Sequence, residues 1–421
     1  MLKADKGGKV AKRDIAKLAF VGSLGLAVPV QAQTVLPAQQ GQQRSVITAS
    51  VTSLYDSNIA RASDAALSRR GLEKDDFRFT PTLSADIYKP FGASYVSFAG
   101  SVGYDIHARN SVLDRERIDL TAGAGSKAGP CGVNVTGGYQ RRQSDLADLN
   151  ILTTGSAATT KNTESIFHVE SLIACGGAVG IKPFAMLSYS DSQNSSQQRK
   201  GSDAESVTYG GGLLYTQPSI GEIRVYVAQR DVDFSQRDGV NYLGAPELRA
   251  RYGGVRFERN IGARLSGHVQ LAYADVDQRN GTTSGQGFDG VTWEAGLNLR
   301  ASSRLTLDAT AARTADPSLG FNVDYIVMED YQLTAAYTLN ERMTLTVTGS
   351  HRARDFTYSN TAVAIPVNED KTNRIQAALR IQPIMGRFSL TANAEYSKRN
   401  ADTDFYDYNG VRIGLTLGAQ F

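Results

Sequence analysis

Residues 411–421 read VRIGLTLGAQF, and this stretch carries the clearest pattern in the chain. Apolar or small side chains occupy the odd positions, while arginine, glycine, threonine and glutamine occupy the even ones. Successive side chains of a β-strand point to opposite faces, so the stretch predicts a strand with one apolar and one polar face. The same period of two recurs in residues 291–300, 374–381 and 387–396. Such alternation is typical of transmembrane β-barrels, but soluble β-sandwiches show it too.

The composition of the chain excludes several classes of protein. The chain has 421 residues, of which 21% are charged, and its mean hydropathy is −0.28. A soluble chain of this length would form two or three domains. A polytopic helical membrane protein is excluded, because it needs several apolar stretches of about 20 residues. Two cysteines exclude a disulfide scaffold and any cysteine-rich zinc or iron–sulfur module.

The first 32 residues have the layout of a secretory signal peptide. Residues 1–17 carry six basic and two acidic side chains, residues 18–30 are apolar, and Val30-Gln31-Ala32 resembles a cleavage site. The alternative is an anchoring helix, for which the apolar run is short. We expect cleavage after Ala32, which changes the net charge from +3 to −1. Residues 33–44 would then form a short periplasmic segment, and residues 45–421 the folded domain.

Three features favour a membrane barrel over a sandwich: the signal peptide, the terminal Phe421, and tyrosines at strand ends such as Tyr55 and Tyr396. The predicted fold is therefore all-β, a transmembrane antiparallel up-and-down barrel. We count eighteen strands, with sixteen as the lower bound: 45–55, 76–87, 94–106, 115–126, 131–141, 165–175, 181–191, 205–217, 222–233, 247–259, 264–276, 290–300, 304–314, 327–339, 342–354, 371–381, 387–399 and 406–421. Short connections follow even strands and long polar ones follow odd strands, so both termini are predicted to be periplasmic.

An arginine opens four of the predicted strands directly after a short turn. These residues are Arg264, Arg304, Arg342 and Arg387, each followed by an apolar residue and then serine or threonine. One interpretation is that each arginine snorkels to the lipid headgroups. The other is a ring of positive charge at the inner mouth of a pore.

Two segments carry a resemblance to a known family. Residues 55–59 (YDSNI) and, after a loop, 76–84 (DFRFTPTLS) resemble the opening of the β-barrel porin 2 family, as do the arginine-led strand starts and the last strand ending in Phe421. The resemblance covers essentially the whole mature chain. It implies an outer-membrane barrel of a Gram-negative bacterium, and members are often associated with exopolysaccharide synthesis and export. It assigns no binding residues.

The two cysteines predict a staple on one hairpin. Cys131 opens the fifth predicted strand and Cys175 closes the sixth, so both lie at the same end of an antiparallel hairpin. Directly opposed residues have Cβ atoms about 4.5–5.5 Å apart, which is close to disulfide geometry. The periplasm is oxidising, so we predict a disulfide. The alternative is two separate thiols.

The polar face of the strands supplies candidate pore-lining residues. They are Arg224, Glu294, Arg300, Asp308, Arg374, Arg380, Glu395 and Arg412. Arginine recognises carboxylates and sugar acids through its planar fork, so such a wall would pass anionic solutes or an acidic polysaccharide. Arg374, Arg380 and Arg412 are the preferred translocation residues. The alternative is that arginines and glutamates pair across strands and only stiffen the wall.

Other functions find little support. The four histidines are scattered and form no readable catalytic set or paired metal-ligand spacing, and we expect no enzyme, metal or cofactor. Acidic residues near the first loop, Asp56, Asp64, Asp75 and Asp76, would bind a cation or simply be solvated. Residues 33–44 are too few for the plug of a TonB-dependent receptor, and no basic cluster with aromatics suggests nucleic acid.

We therefore expect a monomeric barrel whose partners are outer-membrane lipid, the barrel assembly machinery acting on the C-terminal strand with Phe421, and polysaccharide export components. Two functions remain open. One is a pore for polar solutes or for an acidic exopolysaccharide, and the other is a non-conducting structural or assembly barrel of an envelope polysaccharide machine.

Overall fold

The computed structural model describes residues 43–144, 146, 161–237, 245–279, 287–317, 323–358, 367–382 and 387–421. The predicted signal peptide, residues 33–42 and residues 383–386, which lie between the predicted strands 371–381 and 387–399, are outside the described residues. The strands are β1 (Arg44–Asp56), β2 (Asp76–Phe91), β3 (Ser94–His107), β4 (Arg115–Ala128), β5 (Cys131–Gln143), β6 (Thr163–Cys175), β7 (Gly180–Asn194), β8 (Ala204–Gln217), β9 (Gly221–Asp233), β10 (Glu247–Ile261), β11 (Leu265–Arg279), β12 (Phe288–Arg300), β13 (Leu305–Pro317), β14 (Val323–Asn340), β15 (Met343–Tyr358), β16 (Glu369–Ile381), β17 (Phe388–Ala401) and β18 (Tyr408–Gln420).

These eighteen strands form one closed antiparallel sheet. Each strand pairs with its neighbours in sequence, and β18 pairs with β1 in register from Thr48↔Gln420 to Asp56↔Arg412. Closure leaves no exposed strand edge, which is how a barrel satisfies its backbone groups. The predicted fold class and strand number are confirmed. The largest differences in bounds are four residues: β2 ends at Phe91 rather than 87, β14 begins at Val323 rather than 327, and β15 ends at Tyr358 rather than 354.

The two ends of the barrel differ in the length of the segments that connect the strands. The start of β1 and the end of β18 meet at the end with the short turns, where the backbone amide of Phe421 donates to the carbonyl of Ile47. We call this the turn end and the opposite one the loop end. The loop end carries the helix α1 (Asp64–Arg70) and short 3₁₀ segments, of which Ser111–Leu113 follows β3. Among the described residues, no helix has the length and apolarity to cross a membrane.

The two faces of the sheet follow the period of two seen in the sequence. Outward positions hold large apolar side chains that are open to the surroundings; Leu417 is 59% exposed and Val227 is 68% exposed. Inward positions on the same strands hold Arg412, Thr416 and Arg224. A closed sheet that is apolar outside and polar inside matches the transmembrane barrel and not a sandwich, whose apolar face is inside.

Loops at the loop end pack on one another over one half of the barrel. We call this cluster the loop-end cap; it buries Ile59, Ala60, Ala62, Ala66 and Leu72 of the β1–β2 loop against Leu113, Leu146, Val367 and Tyr406 of four other loops. Helix α1 is held by the Ser63 hydroxyl, which accepts from the amide of Ala66, and by Gly71 at φ 60° after its last turn. The five loops are those between β1 and β2, β3 and β4, β5 and β6, β15 and β16, and β17 and β18. Because β18 pairs with β1, these ten strands are neighbours in the closed sheet.

The predicted cysteine pair lies at the turn end. In the β5–β6 register Cys131 is directly opposite Cys175, and the structure joins their sulfur atoms at 2.06 Å. The disulfide closes 44 residues of chain, including the whole β5–β6 hairpin.

Candidate functional site

Strand register places all eight predicted pore-lining residues on the inner face of the barrel. The clearest case is Arg412 on β18, which lies opposite Glu395 of β17 on one side and Asp56 of β1 on the other. Because directly opposed residues share a face, the assignment passes from strand to strand. Arg224 on β9 is assigned to the inner face in this way, because it lies directly opposite Arg256 of β10.

A network of ion pairs joins β16, β17, β18 and β1. Arg412 contacts Asp56 at 3.0 Å and Glu395 at 3.3 Å, and Arg374 contacts the same Glu395 at 3.5 Å. Arg61 of the first loop adds a second guanidinium at 2.5 Å from Asp56. Two of the three preferred translocation residues are therefore paired to wall carboxylates. We call these five residues the β16–β1 network.

A second network lines the wall of β9 to β12. Arg224 contacts Glu222 at 2.9 Å, and Arg256 of the next strand contacts Glu294 at 3.4 Å. The Glu294 carboxylate also lies 2.8 Å from the Nε2 atom of His268. Both guanidinium residues are buried, and Arg224 stacks 5.4 Å from the ring of Phe184. Burial of these cations depends on their carboxylate partners, since an unpaired buried charge is costly.

The remaining three candidates lie nearer the turn end. The amide of Asn298 donates to the Asp308 carboxylate across β12 and β13. Arg300 is exposed at the end of β12, and Arg380 lies one residue before the end of β16. Within the described ranges, neither Arg300 nor Arg380 has a carboxylate at ion-pair distance. Of the eight predicted candidates, six thus contact a polar or charged side chain of the wall, and two, Arg300 and Arg380, have no carboxylate partner in the described ranges.

The acidic residues of the first loop already have protein partners. Asp76 is buried and accepts from the backbone amides of Arg109 and Asn110, at 3.0 and 2.9 Å. Asp64 pairs with Lys74, and Asp75 pairs with Arg109. In the part of the chain that the structure describes, no group of three or more histidine, cysteine or acidic residues is arranged to hold a metal ion.

Sequence reasoning missed several inward charges. Arg256 and Asp56 are central to the two networks, and the period-two pattern of β10 and β1 would have found them. One further contact could not be predicted from the local sequence pattern. The Arg230 guanidinium of β9 lies 3.9 Å from the Asp316 carboxylate of β13, although these two strands are not neighbours in the sheet. Such a contact depends on how the wall curves at the loop end, which the sequence pattern does not contain.

The chain was compared with known proteins. No family model matches it, and no curated protein matches it. Among solved structures, Pseudomonas aeruginosa OccK2 (OpdF) in complex with glucuronate is 10% identical with a TM-score of 0.46, covering 90% of this chain and 98% of that one. Acinetobacter baumannii OccAB3 is 12% identical with a TM-score of 0.44, covering 90% and 99%. The closed sheet of eighteen strands, apolar outside and charged inside, is itself the fold of a transmembrane β-barrel.

These likenesses concern overall architecture only. With identities of 10–12% and TM-scores below 0.5, they say nothing about what this chain transports. The resemblance to the β-barrel porin 2 family stays a prediction, since no family model matches.

Proposed function

We propose that the protein is an outer-membrane pore that passes polar solutes through a water-filled lumen. The observation that carries the proposal is the combination of a closed sheet of eighteen strands with an apolar outer face and a charged inner face. A barrel of 16–18 strands is wide enough for an aqueous channel. Inward arginines and carboxylates are compatible with a membrane because water, not lipid, surrounds them.

Secretion of an acidic exopolysaccharide is the finer form of this proposal. It rests on the family resemblance and on arginine's ability to pair with sugar acids. Deleting the gene should then trap polymer in the periplasm while synthesis continues. Normal surface polymer in the deletion strain would contradict secretion and leave the general pore intact.

A non-conducting structural barrel is the second candidate. Two observations favour it: the ion pairs that tie Arg374 and Arg412 to Glu395, and the loop-end cap over one half of the barrel. This barrel would act as an assembly partner of a polysaccharide machine. Its partners would be membrane lipid, export components and the assembly machinery, which would read the last strand with Phe421, and it would act as a monomer.

Conductance separates the two candidates. The purified, folded protein is inserted into planar lipid bilayers, and single-channel current is recorded in symmetric KCl. The pore predicts discrete, reproducible current steps. Folded protein that inserts but gives no current would contradict the pore and favour the structural barrel.

A further inference from the structure

Four arginines occupy the same structural position at the turn end. Arg264, Arg304, Arg342 and Arg387 each lie one residue before an upward strand, namely β11, β13, β15 and β17. Each backbone carbonyl accepts a hydrogen bond from the neighbouring strand, at 2.7 to 2.9 Å, from the amides of Arg300, Thr338, Gln382 and Gln420 respectively. The sheet ladder therefore extends through these arginines, and the alternation of faces extends with it.

This alternation puts the four arginines on the inner side of the rim. The next residue in each case, such as Leu265 or Phe388, belongs to the outward set, and Phe388 is 56% exposed. Arg300 and Arg380 share the inner face at the same end. A snorkelling arginine would have to lie on the lipid side, so register favours the pore-mouth interpretation. We call these six residues, Arg264, Arg300, Arg304, Arg342, Arg380 and Arg387, the basic rim arc.

The basic rim arc has no matching carboxylates. Four of the arc's inner-face neighbours in register are Arg300, Thr338, Gln382 and Gln420, none of which is acidic. Throughout the described ranges, no acidic side chain lies within 4 Å of any guanidinium of the arc. Glu341, in the turn next to Arg342, is exposed and forms none of the ion pairs found in these ranges. By contrast, on the other half of the rim, Arg44 is paired with Asp86 at 2.7 Å.

The charges are close enough to act together. Arginines on alternate strands are separated by two strand spacings, roughly 10 Å around the rim. That separation is comparable with the Debye length of about 10 Å at 0.1 M salt, so their potentials overlap at low ionic strength. A mouth lined by one sign of charge concentrates counter-ions and sets the selectivity of a channel.

We infer that the basic rim arc makes the turn-end mouth an anion-selecting vestibule, which draws solutes bearing carboxylate or phosphate groups into or out of the lumen. With the short turns in the periplasm, as in other outer-membrane barrels, this vestibule faces the periplasm. The inference rests on the proposed pore. It assigns the selectivity to an unpaired set of arginines and not to the wall arginines that Glu395 and Glu222 already hold.

The test compares two variants by reversal potential in a KCl gradient. The rim variant carries Arg→Gln at all six positions of the arc. The control variant carries Arg259→Gln and Lys89→Gln, which remove positive charges at the same end but on the outward face. The probe ions are K⁺ and Cl⁻, and folding is checked by gel mobility with and without heating. Should six changes prevent folding, the pairs Arg264→Gln/Arg304→Gln and Arg342→Gln/Arg387→Gln replace the full set.

The wild type is expected to prefer Cl⁻ at about 0.1 M salt and to lose the preference at about 1 M, where the Debye length is about 3 Å. The rim variant, or each pair to a lesser degree, should lower the Cl⁻/K⁺ permeability ratio by about two-fold or more, while the control leaves it unchanged. Current with an unaltered ratio in the rim variant would overturn the inference alone. An equal loss in the control would also overturn it. Absence of current in the folded wild type would overturn the proposed pore itself.

Discussion

At the scale of single residues, the charge that the inner wall presents depends on which guanidiniums are paired with a carboxylate. Glu395 is the shared partner of Arg374 and Arg412, and Asp56 links Arg412 to the first loop. The sequence predicts that these side chains face inward. It does not predict their pairing, because Arg412 and Asp56 are separated by 356 residues and meet only when β18 closes on β1.

Replacing Glu395 with glutamine should remove the carboxylate that Arg374 contacts and one of the two that Arg412 contacts. The Glu395 side chain is only 12% exposed and lies 3.5 Å from Arg374 and 3.3 Å from Arg412, so its negative charge offsets theirs. We expect Glu395→Gln to raise the anion preference of the pore in reversal-potential measurements. The loss of folding stability should be about 1–3 kcal/mol, because both partners keep access to water or to Asp56.

Glu369→Gln is the matched control for this substitution. Glu369 pairs with Lys371, but these two residues lie on the outward face of β16. The control removes the same charge without touching the lumen and should leave selectivity unchanged. Equal selectivity in wild type and Glu395→Gln would show that the β16–β1 network does not face the conduction path.

At the scale of strands and hairpins, local pattern predicts most of the architecture. All eighteen strands were predicted, since each carries its own alternation and its own turn signals. Strand ends are less predictable. The extra length of β14 includes register shifts at Val323/Tyr325 and Thr338/Asn340, which depend on pairing with β15 and leave no local signature. The loop-end cap likewise joins loops far apart in sequence.

The Cys131–Cys175 disulfide should stabilise the β5–β6 hairpin. A cross-link that closes about 44 residues restricts the unfolded chain, and the corresponding stabilisation is about 3–4 kcal/mol. We expect the double variant Cys131→Ser/Cys175→Ser to unfold at lower urea concentration in lipid vesicles, followed by the fluorescence of the single tryptophan, Trp293. Reduction of the wild type should reproduce that shift. Identical midpoints in all three samples would show that the disulfide contributes nothing to stability.

The loop-end cap should depend on Arg70. Its side chain is buried and donates to the carbonyls of Ala60 and, at 2.6 Å, Leu146, which joins the first loop to the β5–β6 loop. Arg70→Gln is too short to make both contacts, so we expect faster proteolysis of the loops with an intact barrel.

Lys74→Gln is the control for Arg70→Gln, because the Lys74–Asp64 pair is exposed and surface pairs contribute little. It should be cleaved at the wild-type rate. Cleavage of Arg70→Gln at that same rate would mean that the cap does not need this bridge. A larger conductance in Arg70→Gln would place the cap in the conduction path.

At the scale of the whole molecule, closure turns eighteen amphipathic strands into one wall with an apolar outer face and a polar inner face. Each strand alone is an ambiguous pattern that a sandwich would share. Only the pairing of β18 with β1 removes the last edges and gives every strand one outer and one inner face. The lumen is then lined by the inward, polar side chains of all eighteen strands. Its function depends on how much of that charge is paired and how much, as in the basic rim arc, is not.

Cysteine scanning along β18 tests whether the wall separates a water-filled lumen from lipid. In the Cys131→Ser/Cys175→Ser background, single cysteines replace Arg412, Ile413, Leu415, Thr416 or Leu417, and the folded protein in lipid vesicles is treated with a water-soluble maleimide. Protein unfolded in urea serves as the reference for full labelling.

With a water-filled lumen and a lipid-facing outer wall, we expect labelling that alternates with a period of two. Cysteines at 412 and 416 should react because they face a water-filled lumen, and those at 413, 415 and 417 should be protected because they face lipid. Protection of the even positions would contradict a water-filled lumen, and free labelling of the odd positions would contradict a lipid-facing outer wall.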